Sequence, residues 1–189
     1  MLTNETIENL KRIFIHNLKT LDIEGMGDLL SFLIERKFYE YQAALKYHGN
    51  YKGGLLAHSE AVKRLFTSRL KQLRIEYVPV RTQVIAPYLH DLCKLEEYRI
   101  NSVGISEYNK SPFDNKHGTR SIELAEQFIE LTQLEKDLIK YHMGIYQTEI
   151  VKGPKNPEYN IHDYKSKTNK EPLLLVFHNC DNEASKYLC

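Results

Sequence analysis

The feature that most constrains this chain is its apolar periodicity. Hydrophobic residues recur at three- and four-residue steps along most of its length, the spacing of one face of an α-helix. Ile7, Leu10, Phe14 and Leu18 form one such stripe, and Met26, Leu29, Leu30, Leu33 and Ile34 a second. Thr3 or Asn4 can cap the first helix, and Gly25 and Gly27 break the chain before the second. The segment from Glu40 to Tyr51 leads into Gly53-Gly54, after which Leu55, Val62, Leu65, Phe66 and Leu73 mark a strong helix. Further helices are predicted from Pro79 to about Glu97, with a kink or a fresh start at Pro87, from about His117 to Leu131, from Glu135 to Ile145 and from Pro172 to Leu188. Two stretches, from about Arg99 to Lys116 and from Gln147 to Lys170, read as loops. Loops this long are uncommon in compact domains and often functional. No strand is predicted, and the expected fold class is all-α.

With 189 residues, the chain can bury an adequate core without disulfides or a structural metal. Lys plus Arg total 26 against 25 for Asp plus Glu, so charge singles out no partner, and a duplex-binding protein usually carries a clearer basic excess. The cysteines, Cys93, Cys180 and Cys189, form no CxxC pair and leave one over in any disulfide scheme, which favours a reducing compartment. The N-terminus lacks the basic-then-apolar pattern of a signal peptide, and no apolar run approaches spanning length. The expectation is a cytoplasmic protein with no membrane partner.

Against this background His58, His90, Asp91, His117, His142 and Asp181 stand out, each in a predicted helix and most on the stripe that faces the core. His58 is one turn from Val62, Asp91 aligns with Val84 and Leu95, and His117 with Ser121, Leu124 and Phe128. His142 follows Leu134 and Leu138 at four-residue steps, and Asp181 follows Leu174 and Phe177. A carboxylate on an apolar stripe costs several kcal/mol, on the order of a lost ion pair or more, unless it is paired or metal-bound. Any one of these histidines read alone is a satisfied core histidine, and Asp181 alone is equally a buried ion pair or cap and a metal ligand. All six together point to an inward-facing ligand cluster. Nitrogen and oxygen donors without thiolate suit a divalent transition metal such as Fe, Mn, Ni or Zn better than Ca²⁺, with Mg left open as to identity, and six ligands suggest two ions rather than one four-coordinate structural zinc. A second His-Asp pair, His162-Asp163, sits in a polar Lys-rich stretch without apolar periodicity and reads as a decoy.

At these residues the sequence resembles the HD-domain superfamily of metal-dependent phosphohydrolases, and within it uncharacterised bacterial and phage members. The matching segments are Tyr47-His48-Gly49-Asn50-Tyr51-Lys52-Gly53-Gly54-Leu55-Leu56-Ala57-His58-Ser59, Leu89-His90-Asp91-Leu92-Cys93-Lys94 and His117-Gly118-Thr119-Arg120-Ser121, followed by Tyr141-His142-Met143-Gly144 and Cys180-Asp181-Asn182-Glu183-Ala184-Ser185. The glycine-rich stretch before His58 is also similar to the HD domain of bacterial 3′-to-5′ exoribonucleases. The resemblance covers roughly residues 38–188 in order. It implies an HD-domain helical bundle within a single domain of residues 1–189, with 1–37 an N-terminal helical extension and 38–189 the metal-binding core. It further implies that His58, His90, Asp91 and Asp181 hold a first metal, that His117 and His142 complete a second, and that Asp91 bridges the two. The loop between Arg99 and Lys116 is shorter than the subgroup leads one to expect.

The expected reaction is hydrolysis of a phosphate ester of a nucleotide or related small molecule by a metal-activated water, with Asp91 and Lys94 as catalytic residues. Neutral imidazoles are needed for metal binding, so activity is expected to fall near pH 6. Lys94, one turn beyond Asp91, and Arg120, one turn after His117, can each contact phosphate or form an ordinary surface salt bridge. His48 and Lys52 border the Gly53-Gly54 turn and are substrate-contact candidates; the glycines either admit a ligand or simply turn the chain. The Gln147–Lys170 stretch is a lid, an electrostatic guide or a solvated loop. His178, one turn before Asp181, is a candidate to hydrogen-bond and orient a ligand, and His16 has no assigned role. Two alternatives stay open: a nuclease trimming single strands, with some of the 13 tyrosines stacking bases, and a catalytically idle module that binds a nucleotide or a protein.

Overall fold

The computed structural model describes residues 2–46, 48–102, 106–109, 117–144 and 157–188, with the backbone alone at 100, 106, 157–163 and 188. The chain is helical, as its periodicity requires. Thr3 accepts a hydrogen bond from the Thr6 amide and starts α1 (Asn4–Lys19), which buries Ile7, Phe14 and Leu18. Helix α2 (Met26–Glu35) buries Met26, Leu29, Leu30 and Leu33, but Ile34 is turned to solvent. A 3₁₀ turn at Phe38–Glu40 brings the chain to the central helix α3 (Gly54–Gln72). Helix α3 buries Leu55, Val62, Phe66 and Leu70, while Leu73, expected on its inner stripe, is its exposed C-cap.

Helix α4 (Val80–Leu89) runs through Pro87 rather than starting there. The long helix expected to reach Glu97 is interrupted by turns at residues 90–93, and only a short α5 (Lys94–Glu97) follows. The next helices are α6 (His117–Ala125), shorter than expected, and α7 (Gln133–Tyr141), started by a Thr132–Glu135 capping box. After α9 (Leu173–Glu183) the chain ends its described part in a π-helical turn, Ala184–Leu188. Helix α3 packs on α1, α4 and α9, and α7 packs on α4, α6 and α9, so the middle of the bundle is ringed by α3, α4, α7 and α9.

Two expected loops contain regular structure. Within 99–116 lies an antiparallel hairpin of β1 (Tyr98–Ile100) and β2 (Ser106–Tyr108), with Tyr98 opposite Tyr108 and Arg99 opposite Glu107. The facing tyrosine rings meet edge to face at 5.4 Å, and Arg99 reaches Glu107 at 2.7 Å. Cross-strand pairs of this kind stabilise a ladder too short to show alternation in sequence. Within 147–170 lies α8 (Pro157–Lys170), with Pro157 at the first helical position, where a missing amide costs nothing. Its inward face is marked by Tyr164 and Thr168, a tyrosine and a threonine that do not read as an apolar stripe. The decoy pair His162-Asp163 is therefore on a helix rather than in a loop. Residues 103–105, 110–116 and 147–156 of the two expected loops lie outside the described residues, as does Ile145. Among the described residues no helix is long and apolar enough to cross a membrane.

Candidate metal centre

The six residues picked from the sequence converge, but not all from within helices. His58 projects from the middle of α3 and Asp181 from α9; His117 is the first residue of α6. His90 and His142 are the C-caps of α4 and α7, and Asp91 lies in the turn after His90. That departure has a physical reason. The last carbonyls of a helix have no intrahelical donor, and these two rings supply one. His90 Nδ1–H donates to the Pro87 carbonyl at 2.8 Å, and His142 Nδ1–H donates to the Ile139 carbonyl at 2.7 Å. Each bond caps a helix end and also commits the proton of a neutral ring to Nδ1, leaving the Nε2 lone pair facing inward.

What those lone pairs face is more acceptors. His90 Nε2 lies 3.2 Å from His58 Nε2, 3.6 Å from Asp181 Oδ1 and 3.7 Å from Asp91 Oδ2. His58 Nε2 is 3.0 Å from Asp181 Oδ1. Across Asp91, Oδ1 is 2.6 Å from His117 Nε2 and 3.6 Å from His142 Nε2. His142 Nε2 is buried and has no hydrogen-bond partner among the described residues. His58, His90 and His142 are at most 1% exposed, and Asp91 and Asp181 are buried as well. Converging acceptors that water cannot reach need a cation between them, either a proton or a metal ion. Three groups are close enough to hold one: His58–His90–Asp181, His90–Asp91–His142 and Asp91–Cys93–His117. They share His90 and Asp91, so they form one continuous centre. Backbone-anchored imidazoles are also the arrangement that metal-binding histidines adopt. The donor set fits a divalent ion.

The electrostatics agree. Burial pushes His90 down, but the carboxylates of Asp91 and Asp181 outweigh it and hold this imidazole up at about 9. Without an ion, then, a proton occupies this side of the centre across the neutral range, rather than leaving near pH 6. Burial alone would raise both acids; His90, Lys94 and His117 instead hold Asp91 well below the usual carboxylate range, and His58 and His90 do the same for Asp181. His117 is lowered, by burial first and by the Lys94 ammonium second.

The remaining candidates divide. Lys94 is partly buried beside the cluster, its ammonium 3.3 Å from Glu97 and donating to the Tyr98 hydroxyl at 3.2 Å; desolvation lowers it, but Asp91 and Glu97 hold it firmly protonated. The His48 ring lies 5.0 Å from the His58 ring, tilted 45° to it and within hydrogen-bond reach of Ser185 Oγ, and burial and His58 lower it. Lys52 is exposed and 3.7 Å from Glu40. Arg120 makes two hydrogen bonds to Glu96, at 2.6 and 2.7 Å, and one to Glu123, the ordinary ion-pair role. The Gly53-Gly54 pair packs against the chain itself. Gly53 has φ of +82°, and a Cβ on Gly54 would run into the Gly49 carbonyl. His178 donates to the His142 carbonyl at 2.5 Å and lies within 2.9 Å of Asn182 Nδ2, so it steadies the main chain at His142.

Two participants were not expected. Cys93 Sγ is 3.2 Å from His117 Nδ1, and Glu97 Oε2 is 3.6 Å from the same nitrogen. Their spacing from Asp91, two and six residues, carries no motif, and only the turns after α4 place them there. Compared with protein-family models, curated proteins and solved structures, the chain matches none.

Proposed function

We propose that this chain is a metal-dependent phosphohydrolase of the HD-domain kind, acting on a nucleotide or related small phosphate ester at a centre of two divalent ions. The observation that supports this best is the buried convergence of imidazole lone pairs on two carboxylates, with one imidazole nitrogen, His142 Nε2, unpartnered among the described residues. His58, His90 and Asp181 would hold one ion, and His117 and His142, which both face Asp91 Oδ1, would hold the other. Asp91 would serve both, since Oδ2 is turned toward His90 and Oδ1 toward His117 and His142. Ions bound there would supply positive charge against phosphoryl oxygens and acidify a water at neutral pH.

The protein's own groups do the rest. Pro87 and Ile139 fix two rings before any ion arrives, so little is lost in ordering them. Lys94, protonated and held beside Asp91, can neutralise an oxygen of the bound phosphate. His48 borders the His58 side and is placed to contact the remainder of the substrate. Arg120 and Lys52 are left out of this scheme, the first because Glu96 and Glu123 occupy its donors and the second because it stands in solvent.

The test is metal analysis of the protein, followed by a hydrolysis screen with Mn²⁺, Co²⁺, Ni²⁺ and Mg²⁺ against nucleoside phosphates, cyclic dinucleotides and short oligonucleotides. Ion-dependent turnover lost in His90→Ala and Asp91→Ala is the expected result. Variants as active as the parent would refute the reading. Stoichiometric ions without turnover on the whole panel would leave only a binding module.

A further inference from the structure

His117 differs from the other two anchored rings in what holds it. The carbonyls of Pro87 and Ile139 can only accept, so a neutral His90 or His142 keeps its proton on Nδ1. Nδ1 of His117 instead meets the Cys93 sulfur at 3.2 Å, while its Nε2 lies 2.6 Å from Asp91 Oδ1. An ionised carboxylate only accepts, so with no ion present the proton of neutral His117 is on Nε2, donated to Asp91. Nδ1 is then an acceptor, and the Cys93 thiol is its donor. An ion on Nε2 needs that lone pair, and the ring proton must then sit on Nδ1.

We propose that His117 changes tautomer when its ion binds, and that Cys93 is the positioning residue that permits the change. A thiol both donates and accepts, which a carbonyl cannot do. The proton balance is simple. Nε2 loses its proton to solvent as the ion arrives, Nδ1 takes one up, and the ring stays neutral. The thiol keeps its own proton and turns about its Cβ–S bond from donor to acceptor. Glu97 Oε2, buried and 3.3 Å from the Lys94 ammonium, is a further acceptor 3.6 Å away for the ion-bound tautomer only. The two sides of the centre are therefore unlike: His142 is preset, whereas His117 adapts. This inference rests on the reading that an ion is shared by Asp91, His117 and His142.

The experiment is ¹⁵N NMR of histidine-labelled protein, with chelator and then with two equivalents of Zn²⁺, the His117 signals assigned by their loss in His117→Gln. His117 is expected to pass from the Nε2–H to the Nδ1–H form, while His142 shows Nδ1–H throughout. In parallel zinc titrations, Cys93→Ala should weaken the second equivalent by about 10–100-fold, the usual effect of removing an outer-shell partner, and leave the first unchanged. Cys93→Ser, which still donates and accepts, should behave as the parent, and so should Cys180→Ala. One tautomer in both states, or parental titration by Cys93→Ala, overturns the inference while the phosphohydrolase reading stands. A thiolate-to-metal absorption band in the Co²⁺ protein, lost in Cys93→Ser, also overturns it, because sulfur would then be a direct ligand. Failure to bind zinc at all removes both.

Discussion

Gly118, the residue after His117, brings α6 close against the backbone of α7, and replacing it with alanine tests whether that closeness matters. A Cβ there would stand 2.5 Å from the Ile139 carbonyl oxygen and 2.7 Å from that of Lys140, both near the end of α7. Ordinary contact begins at 3.4 Å, so α6 and α7 must part by about 0.9 Å. The Ile139 carbonyl is the one that accepts from His142 Nδ1, so the strain falls on the bond that aims this ring. Overpacking of this kind costs about 1–3 kcal/mol, and the better helix propensity of alanine returns about 1 kcal/mol. The net loss is therefore about 0–2 kcal/mol, or up to about 8 °C in Tm for a chain of this size. Apparent affinity for the ion held by His117 and His142 should fall by about 10–100-fold. Gly27→Ala is the matched control: it lies within α2 with nothing within 4 Å, so the substitution should stabilise by about 0.5–1 kcal/mol and leave ion binding alone. Thermal unfolding in chelator and calorimetric ion titration read both quantities. Gly118→Ala that unfolds like Gly27→Ala and binds ions like the parent would refute the reasoning.

Other expectations follow from the same contacts. In the ion-free protein, His90 is raised to about 9, so its ion pairing contributes fully below the ordinary imidazole value of 6.5 and is lost as pH rises through about 9. An added ion needs that nitrogen deprotonated, so the gain in Tm on adding Zn²⁺ should grow from pH 6 to pH 9; an equal gain at both ends would show that proton and ion do not compete. Hydrogen bonds from Arg120 lower the Glu96 carboxyl, so their stabilisation is present above about 4.5 and disappears as pH falls through the lowered value. Arg120→Gln should let Glu96 titrate higher by NMR while costing less than about 1 kcal/mol at neutral pH, because the pair is partly solvated; an unmoved Glu96 titration would remove this assignment. Thr132→Ala removes one half of the α7 capping box and should cost about 1 kcal/mol without changing ion affinity. A change in ion affinity would mean that the start of α7 is coupled to His142 at its other end.

How much of this was legible beforehand depends on whether a signal is periodic or arises only from contact. Helical class, the main stripes of α1, α2 and α3, and the six ligand candidates could be read from the sequence, because a polar side chain on an apolar stripe is anomalous at a fixed period. Ile34 and Leu73 misled, since hydrophobicity at a helix edge does not say which side of the stripe meets solvent. The hairpin at Tyr98–Tyr108 and helix α8 were missed because each is held by one or two tyrosines, too few to repeat.

The sequence by itself determined that this chain builds helices and that imidazoles and carboxylates must go inward with the apolar faces. Only the tertiary structure decided that His90 and His142 sit at helix ends, where unpaired carbonyls choose their tautomer, and that Cys93 rather than a carbonyl meets His117. It also decided that Arg120 answers Glu96. The physical reason is that periodicity encodes which way a side chain points along its own helix. Which nitrogen keeps a proton, and which charge is already paired, depends on atoms brought in from elsewhere in the chain.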